Sequence, residues 1–148
     1  MDDFQRWLDA AIDQAIIGRD SGGVPIGSVL VLEGEIIGAG HNQRLQKGSP
    51  ILHAEMDAIE SAGRLSVADY RRSILVSTLS PCDMCAGASL LYQIPTIIIG
   101  ENQTFRGPEE YLESRGVALH LVDDRRCRDL MERFIQSHPT VWNEDIGK

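Results

Sequence analysis

The residues that most restrict how this chain can fold are two short motifs that make chemical sense only if they meet. One is His53-Ala54-Glu55. The other, well downstream, is Pro81-Cys82-Asp83-Met84-Cys85. Cys82 and Cys85 stand about one turn apart if a helix opens there, so both sulfurs can face one point. Pro81 suits the first turn of that helix, where a missing N–H costs nothing. The free N–H groups of a helix start favour both cysteines as thiolates. His53 offers a neutral imidazole from a separate element. Three such donors fill three corners of a tetrahedral Zn²⁺ site and leave the fourth for water, the pattern of a catalytic ion rather than a structural one.

Water on such an ion has its pKa lowered towards ~7. Glu55, in the first turn of a helix opening at His53, lies close enough to carry the proton without binding the ion. Positions two apart do not share a face inside a helix, so this role requires the helix to begin near His53. A Cys-x-x-Cys pair alone also occurs in redox couples and as half of a structural zinc site. The structural site needs a fourth protein ligand and the sequence has no second such pair, while a redox couple leaves His53 and Glu55 unused. Taken together, the motifs match the His-x-Glu … Pro-Cys-x-x-Cys signature of zinc nucleobase deaminases.

A chain of 148 residues reads as one domain, residues 1–148, with a core that needs no staples. Of its three cysteines two belong to the motif, which leaves no disulfide framework. There is no apolar run of the length a membrane helix needs. The acidic, amphipathic opening Met1-Asp2-Asp3-Phe4 is unlike a secretion signal, so a cytoplasmic location is expected. Net charge is −8, whereas proteins that grip polynucleotides carry a basic footprint. No nucleic-acid partner is expected, and a small neutral substrate is favoured.

Phe4, Trp7, Leu8, Ala11, Ile12, Ala15 and Ile16 recur at helical spacing and predict a first helix, capped by Asp3 and ending near Gly18. Residues 26–32 and 35–39 read as a hairpin around Glu33-Gly34. His41 after it is assigned a structural hydrogen bond. Asn42 is either an ordinary loop residue or, with its donor and acceptor, a reader of a base edge. Residues 44–50 read as a loop. The His53 helix follows and closes near Gly63. Residues 73–79 read as a strand buried on both faces that runs into the cysteine motif. The helix after it carries small residues, Ala86-Gly87-Ala88-Ser89, suited to close packing on the sheet, the His53 helix or a second subunit.

Residues 96–100 and 117–122 read as strands joined through a helix over 108–115, hence parallel. Asp123 or Asp124 caps a last long helix whose apolar face includes Cys127, and Pro139 stops it. The tail reads either as a frayed end or, because it holds Trp142 and Ile146, as a segment that packs down. This order of elements predicts an α/β fold, a three-layer α/β/α sandwich around a central mixed sheet of about five strands. The metal motifs stand at one edge of that sheet.

The chain resembles, over nearly its full length, the fungal-type zinc-dependent cytosine deaminases of the cytidine-deaminase-like superfamily. The resemblance rests on Gly22-Gly23-Val24-Pro25-Ile26-Gly27, Gly40-His41-Asn42, Thr78-Leu79-Ser80-Pro81-Cys82-Asp83-Met84-Cys85, Ile99-Gly100-Glu101-Asn102 and Glu144-Asp145-Ile146-Gly147. It implies one Zn²⁺ per chain on His53, Cys82 and Cys85, with Glu55 as the acid–base residue and a free nucleobase as substrate. It also implies that Asn42 reads the pyrimidine edge and that the Ala54 backbone holds the ring oxygen. Leu79, Phe105, Trp142 and Ile146 would wall the base, Ser80 would contact it, and Asp145 would face the departing amine. Residues 139–148 then form a lid, and a homodimer is implied. Ala54 replaces a glycine of the fungal enzymes conservatively. Leu45 and Asn143 stand where those enzymes are expected to carry aromatic residues beside the pocket or lid, and so bear on which base is taken.

Overall fold

The structure, a computed structural model, describes residues 2–148; Met1, the first residue of the acidic opening, lies outside them. Helix α1 spans Asp2–Asp20. Asp3 therefore lies inside the helix and is not its cap, and the helix runs past Gly18. The side chains of Trp7, Leu8, Ala11, Ile12 and Ala15 are buried along one stripe, as their spacing requires. Strands β1 (Gly27–Leu32) and β2 (Glu35–His41) form the hairpin. Its turn puts both Glu33 (φ 53°) and Gly34 (φ 80°) in the left-handed region, the twist that suits a two-residue hairpin.

The stretch expected as a loop contains one helical turn, α2 (Arg44–Lys47), closed by Gly48 in the left-handed region. Then come α3 (Ala54–Ala62) and a short α4 (Val67–Tyr70) that the periodicity does not show. Its signal is local, since Ser66 caps it by accepting the Asp69 N–H. Strand β3 (Ser73–Leu79) leads to α5 (Asp83–Leu91), then β4 (Thr96–Glu101), α6 (Glu109–Ser114) and β5 (Ala118–Leu121). Helix α7 (Arg125–Ser137) is capped by Asp124, which accepts the Arg126 N–H. Pro139 does more than stop it: α8 (Pro139–Asp145) begins there, with proline in the first turn, where no N–H is needed.

The sheet has the order β2-β1-β3-β4-β5, antiparallel at β2/β1 and β1/β3 and parallel at β3/β4 and β4/β5. Successive strand residues go to opposite layers. Val76 and Ile98 join Trp7, Leu8 and Cys127 under α1 and α7, whereas Leu75, Ile97 and Ile99 join Ala86 and Leu112 under α5 and α6. The three-layer sandwich and its mixed five-stranded sheet follow from that alternation.

Two glycines bring α3 hard against β2. A Cβ on Gly38 would lie 2.4 Å from the Ala58 carbonyl oxygen, and one on Gly40 would lie 2.6 Å from the Ala58 nitrogen. The His53 end of α3 is thereby fixed against the hairpin. A third apolar cluster, with Ile26, Ala54, Leu79, Phe134 and Trp142 among its members, joins α8 to the carboxyl end of β3.

Candidate active site

The site forms where β3 and β4 end, the edge at which open α/β sheets place their ligands. Cys82 is the N-cap of α5, with extended backbone (φ −74°, ψ 178°), so the helix starts at Asp83 and Pro81 stands just before it rather than in its first turn. His53 is likewise the N-cap of α3 (φ −64°, ψ 163°) and makes no side-chain cap bond. A cap residue free of that duty can turn its side chain outward, and both do. Glu55 is then the second residue of α3, as its expected position required.

The donor atoms of His53, Cys82 and Cys85 all lie within 4.8 Å of one another. His53 Nδ1 is 3.3 Å from Cys82 Sγ and 3.7 Å from Cys85 Sγ. A tetrahedral ion with ordinary Zn–N and Zn–S bonds sets its nitrogen and sulfur ligands about 3.6 Å apart. The trio brackets that separation, so it fits one zinc ion without rearrangement. The far ring nitrogen is held as well: His53 Nε2 is 3.1 Å from the Asp145 carbonyl oxygen and 3.4 Å from its carboxylate. A proton on Nε2, donated to Asp145, leaves Nδ1 bare for a metal.

The charges are tuned together. A hydrogen bond from Cys85, helped by His53, brings the Cys82 thiol down to about 4. Cys85, the donor in that bond and buried, is pushed well above its ordinary value. Burial works against the His53 imidazolium, but the Cys82 hydrogen bond and the Asp145 carboxylate outweigh it and raise His53 to about 9. Glu55 is 4% exposed. Its burial, with the Cys82 thiolate nearby, lifts it to about 7, where a carboxyl can both take and give a proton near neutrality.

Around this centre Ile26, Leu79, Ser80, Phe105, Trp142 and Ile146 enclose a residual cavity of about 20 Å³. Phe105 and Trp142 meet edge to face, with centroids 6.0 Å apart. Asn42 and Ala54 are fully buried but do not line that cavity. The Asn42 amide donates to both carboxylate oxygens of Asp145, at 3.0 and 3.2 Å, and Ala54 lies in the third apolar cluster. The Ser80 hydroxyl donates to Glu109 at 2.7 Å and accepts the Gly107 N–H at 3.0 Å, so its one donor is spent away from the cavity. Leu45 is exposed on α2 and Asn143 on the outer side of α8, and neither lines the cavity or the groove outside it. His41 makes the structural bond expected of it, with Nδ1 3.0 Å from Gln14 Oε1. Sequence reasoning missed Arg44, whose guanidinium binds Asp145 at 3.3 Å. A lone loop arginine carries no pattern that would single it out.

Fold and site define a class before they define a reaction partner. The chain belongs to the cytidine and deoxycytidylate deaminase family, whose zinc-binding region matches residues 1–101, and it is a zinc-binding hydrolase of C–N bonds. It is 46% identical to a cytosine deaminase of Candida albicans across 99% of this chain and 98% of the relative. A tRNA-specific adenosine deaminase of Streptococcus pyogenes is 40% identical over 70% of this chain and 66% of its own length. Among solved structures, a guanine deaminase from Nitrosomonas europaea superposes with a TM-score of 0.70 at 21% identity, covering 85% of this chain and 81% of its own, which is a likeness of fold.

Proposed function

We propose that this chain hydrolyses free cytosine to uracil and ammonia, with one zinc ion held by His53, Cys82 and Cys85. The observation that carries the reading is the small cavity beside the metal trio, walled by the rings of Phe105 and of Trp142 from α8. The near full-length similarity to a cytosine deaminase takes in α8 and selects the base. Zinc supplies the Lewis acid that makes hydroxide available near neutral pH. Glu55 accepts the proton that the attacking water gives up and passes it to ring nitrogen N3; it then takes the proton of the new C4 hydroxyl and delivers it to the amine, which leaves as ammonia while the C4 carbonyl forms. Leu79, Phe105, Trp142 and Ile146 clamp the ring. The resemblance assigns its oxygen edge to Asn42, whose amide also holds Asp145, and to the Ala54 backbone; Asp145 faces the amine, and Ser80 contributes its backbone.

Residues 139–148 act as a lid. The inner space of about 20 Å³ holds about one water, so a base in the outer groove of about 570 Å³, which His53 and Cys82 also line, enters between the aromatic walls only when α8 lifts. A tethered polynucleotide does not fit under a roof that must close, and the net charge of −8 supplies no electrostatic footprint for one. The enzyme is read as a cytoplasmic homodimer. Helix α5 leaves Gly87 open and Leu91 71% exposed, a face on which a second copy can pack.

Ammonia release by the zinc-loaded protein from cytosine, cytidine, isocytosine, guanine, creatinine, adenine and a tRNA hairpin tests the reading. Turnover of cytosine above all others is the expected result. Another base winning would overturn the choice of substrate, and tRNA winning would overturn the roofed pocket. Light scattering at about twice the chain mass checks the dimer.

A further inference from the structure

Two buried carboxylates flank the loop that carries Phe105, and the reaction set out above uses neither. Glu101, fully buried at the end of β4, serves its own loop. It accepts the N–H groups of Gln103 and Thr104 at 2.7 and 3.0 Å and the Thr104 hydroxyl. Glu109 reaches further. It is 7% exposed, accepts the Asn102 amide at 3.2 and 3.3 Å, and has Arg106 Nε within 3.5 Å. Its Oε2 also accepts the hydroxyl of Ser80 at 2.7 Å, and Ser80 Oγ in turn accepts the Gly107 N–H at 3.0 Å. Backbone contact reinforces the tie: a Cβ on Gly107 would lie 1.7 Å from the Pro81 carbonyl oxygen.

An acidic residue in the first turn of α6 is favourable to the helix dipole. Glu110 meets that need with its side chain 75% exposed. The dipole therefore does not explain why Glu109 is buried, since burying a carboxylate is costly unless its oxygens are fully used. They are used on two different elements: the loop before α6, and Ser80, the residue just before the metal-binding motif.

We propose that Glu109 is a positioning residue for the substrate pocket. Through Ser80 and Gly107 it locks the Phe105 wall to the loop that presents Cys82, so the spacing between metal trio and aromatic wall is set before a base arrives. This rests on the reading of the site as a base deaminase. Ser80 is the middle of the tie, and its hydroxyl acts on the loop rather than on the substrate.

The test compares Glu109→Ala, Glu109→Gln, Ser80→Ala and the Glu109→Ala/Ser80→Ala double variant with wild type, each checked for one zinc per chain. A misplacement of order 1 Å costs up to about 100-fold in efficiency, so Glu109→Ala is expected to raise KM for cytosine by about tenfold or more while kcat changes far less. Glu109→Gln, which keeps one acceptor for Ser80, restores part of the loss. The double variant is no worse than Glu109→Ala alone, because both cut one tie. Unchanged KM in Glu109→Ala and Ser80→Ala, with only the melting temperature lowered, would overturn the proposal. Should Glu109→Ala not fold, Glu109→Gln and Ser80→Ala carry the same comparison.

A second readout needs no turnover. In a Trp7→Phe background the emission of Trp142 reports the Phe105 contact, and it shifts when Glu109 or Ser80 is replaced. Emission unmoved in both overturns the proposal. Wild type that releases no ammonia from cytosine, with emission still shifting, overturns the substrate reading and not the positioning.

Discussion

Replacing Trp142 by alanine separates the docking of α8 from the folding of the rest of the chain. Trp142 is 6% exposed. A buried aromatic of this size hides about 150–250 Å², which at ~25 cal/mol per Å² amounts to about 4–6 kcal/mol. Large-to-small replacements of this kind cost about 3–5 kcal/mol, and the edge-to-face contact with Phe105 accounts for about 1 kcal/mol of it. The two clusters under the helical layers contain no residue of α8, so α8 can lift while the sheet stays intact. The loss then falls on that local equilibrium. At ~1.4 kcal/mol per factor of ten, a loss of about 3–5 kcal/mol makes opening of residues 139–148 about a hundredfold to a few thousandfold more frequent. Hydrogen exchange read by mass spectrometry should show amides of 139–148 losing protection by that factor, while those of β3 keep theirs. KM for the base should rise with them. Unchanged protection in α8, or an equal loss in β3, would refute the reasoning: the first would mean that Trp142 does not anchor the segment, the second that α8 belongs to the global folding unit.

Glu55→Ala should keep one zinc per chain by elemental analysis while ammonia release falls by about 10²–10⁴-fold, the usual share of a positioned acid–base group; retained turnover would remove Glu55 from its role. Stripping zinc with a chelator should lower the melting temperature, since an ion in hundredfold excess over its Kd contributes about 2.7 kcal/mol. A Cys82→Ser chain should show no such response. Asp124 is held below its ordinary 3.8 mainly by the hydrogen bond from Arg126. A carboxylate depressed in the folded state contributes stability above its unfolded pKa and loses it as pH falls through the folded value. Urea unfolding at pH 5 and pH 3 should therefore show a smaller acid loss in Arg126→Ala than in wild type, and equal losses would refute that pairing.

Much of the architecture was legible because it rests on periodic burial. Residues 73–79 alternate between two apolar layers, so both faces had to be covered, and the helical stripe from Phe4 to Ile16 had to bury itself against another layer. What escaped was short or local. The one-turn helices at 44–47 and 67–70 have too few residues for a period, and Pro139, read as a stop, is also a start because its missing N–H suits a first turn.

The metal centre divides the same way. His53, Cys82 and Cys85 were legible because a tetrahedral ion needs particular donor types at a particular spacing, and that demand is written in residue identity. The sequence by itself thus determined the layers and the donor set, and it put Glu55 in the first turn of the helix that His53 opens. Only the tertiary structure decided that His53 presents Nδ1 to the sulfurs while Nε2 meets Asp145. It alone decided that Arg44 and Asn42 hold Asp145, that Leu45 and Asn143 face outward, and that Ser80 spends its hydroxyl on Glu109. The contacts among these join residues distant in sequence, and they, like the exposure of Leu45 and Asn143, are set by how the sheet edge, α3 and α8 approach one another. No local pattern encodes a distance of that kind.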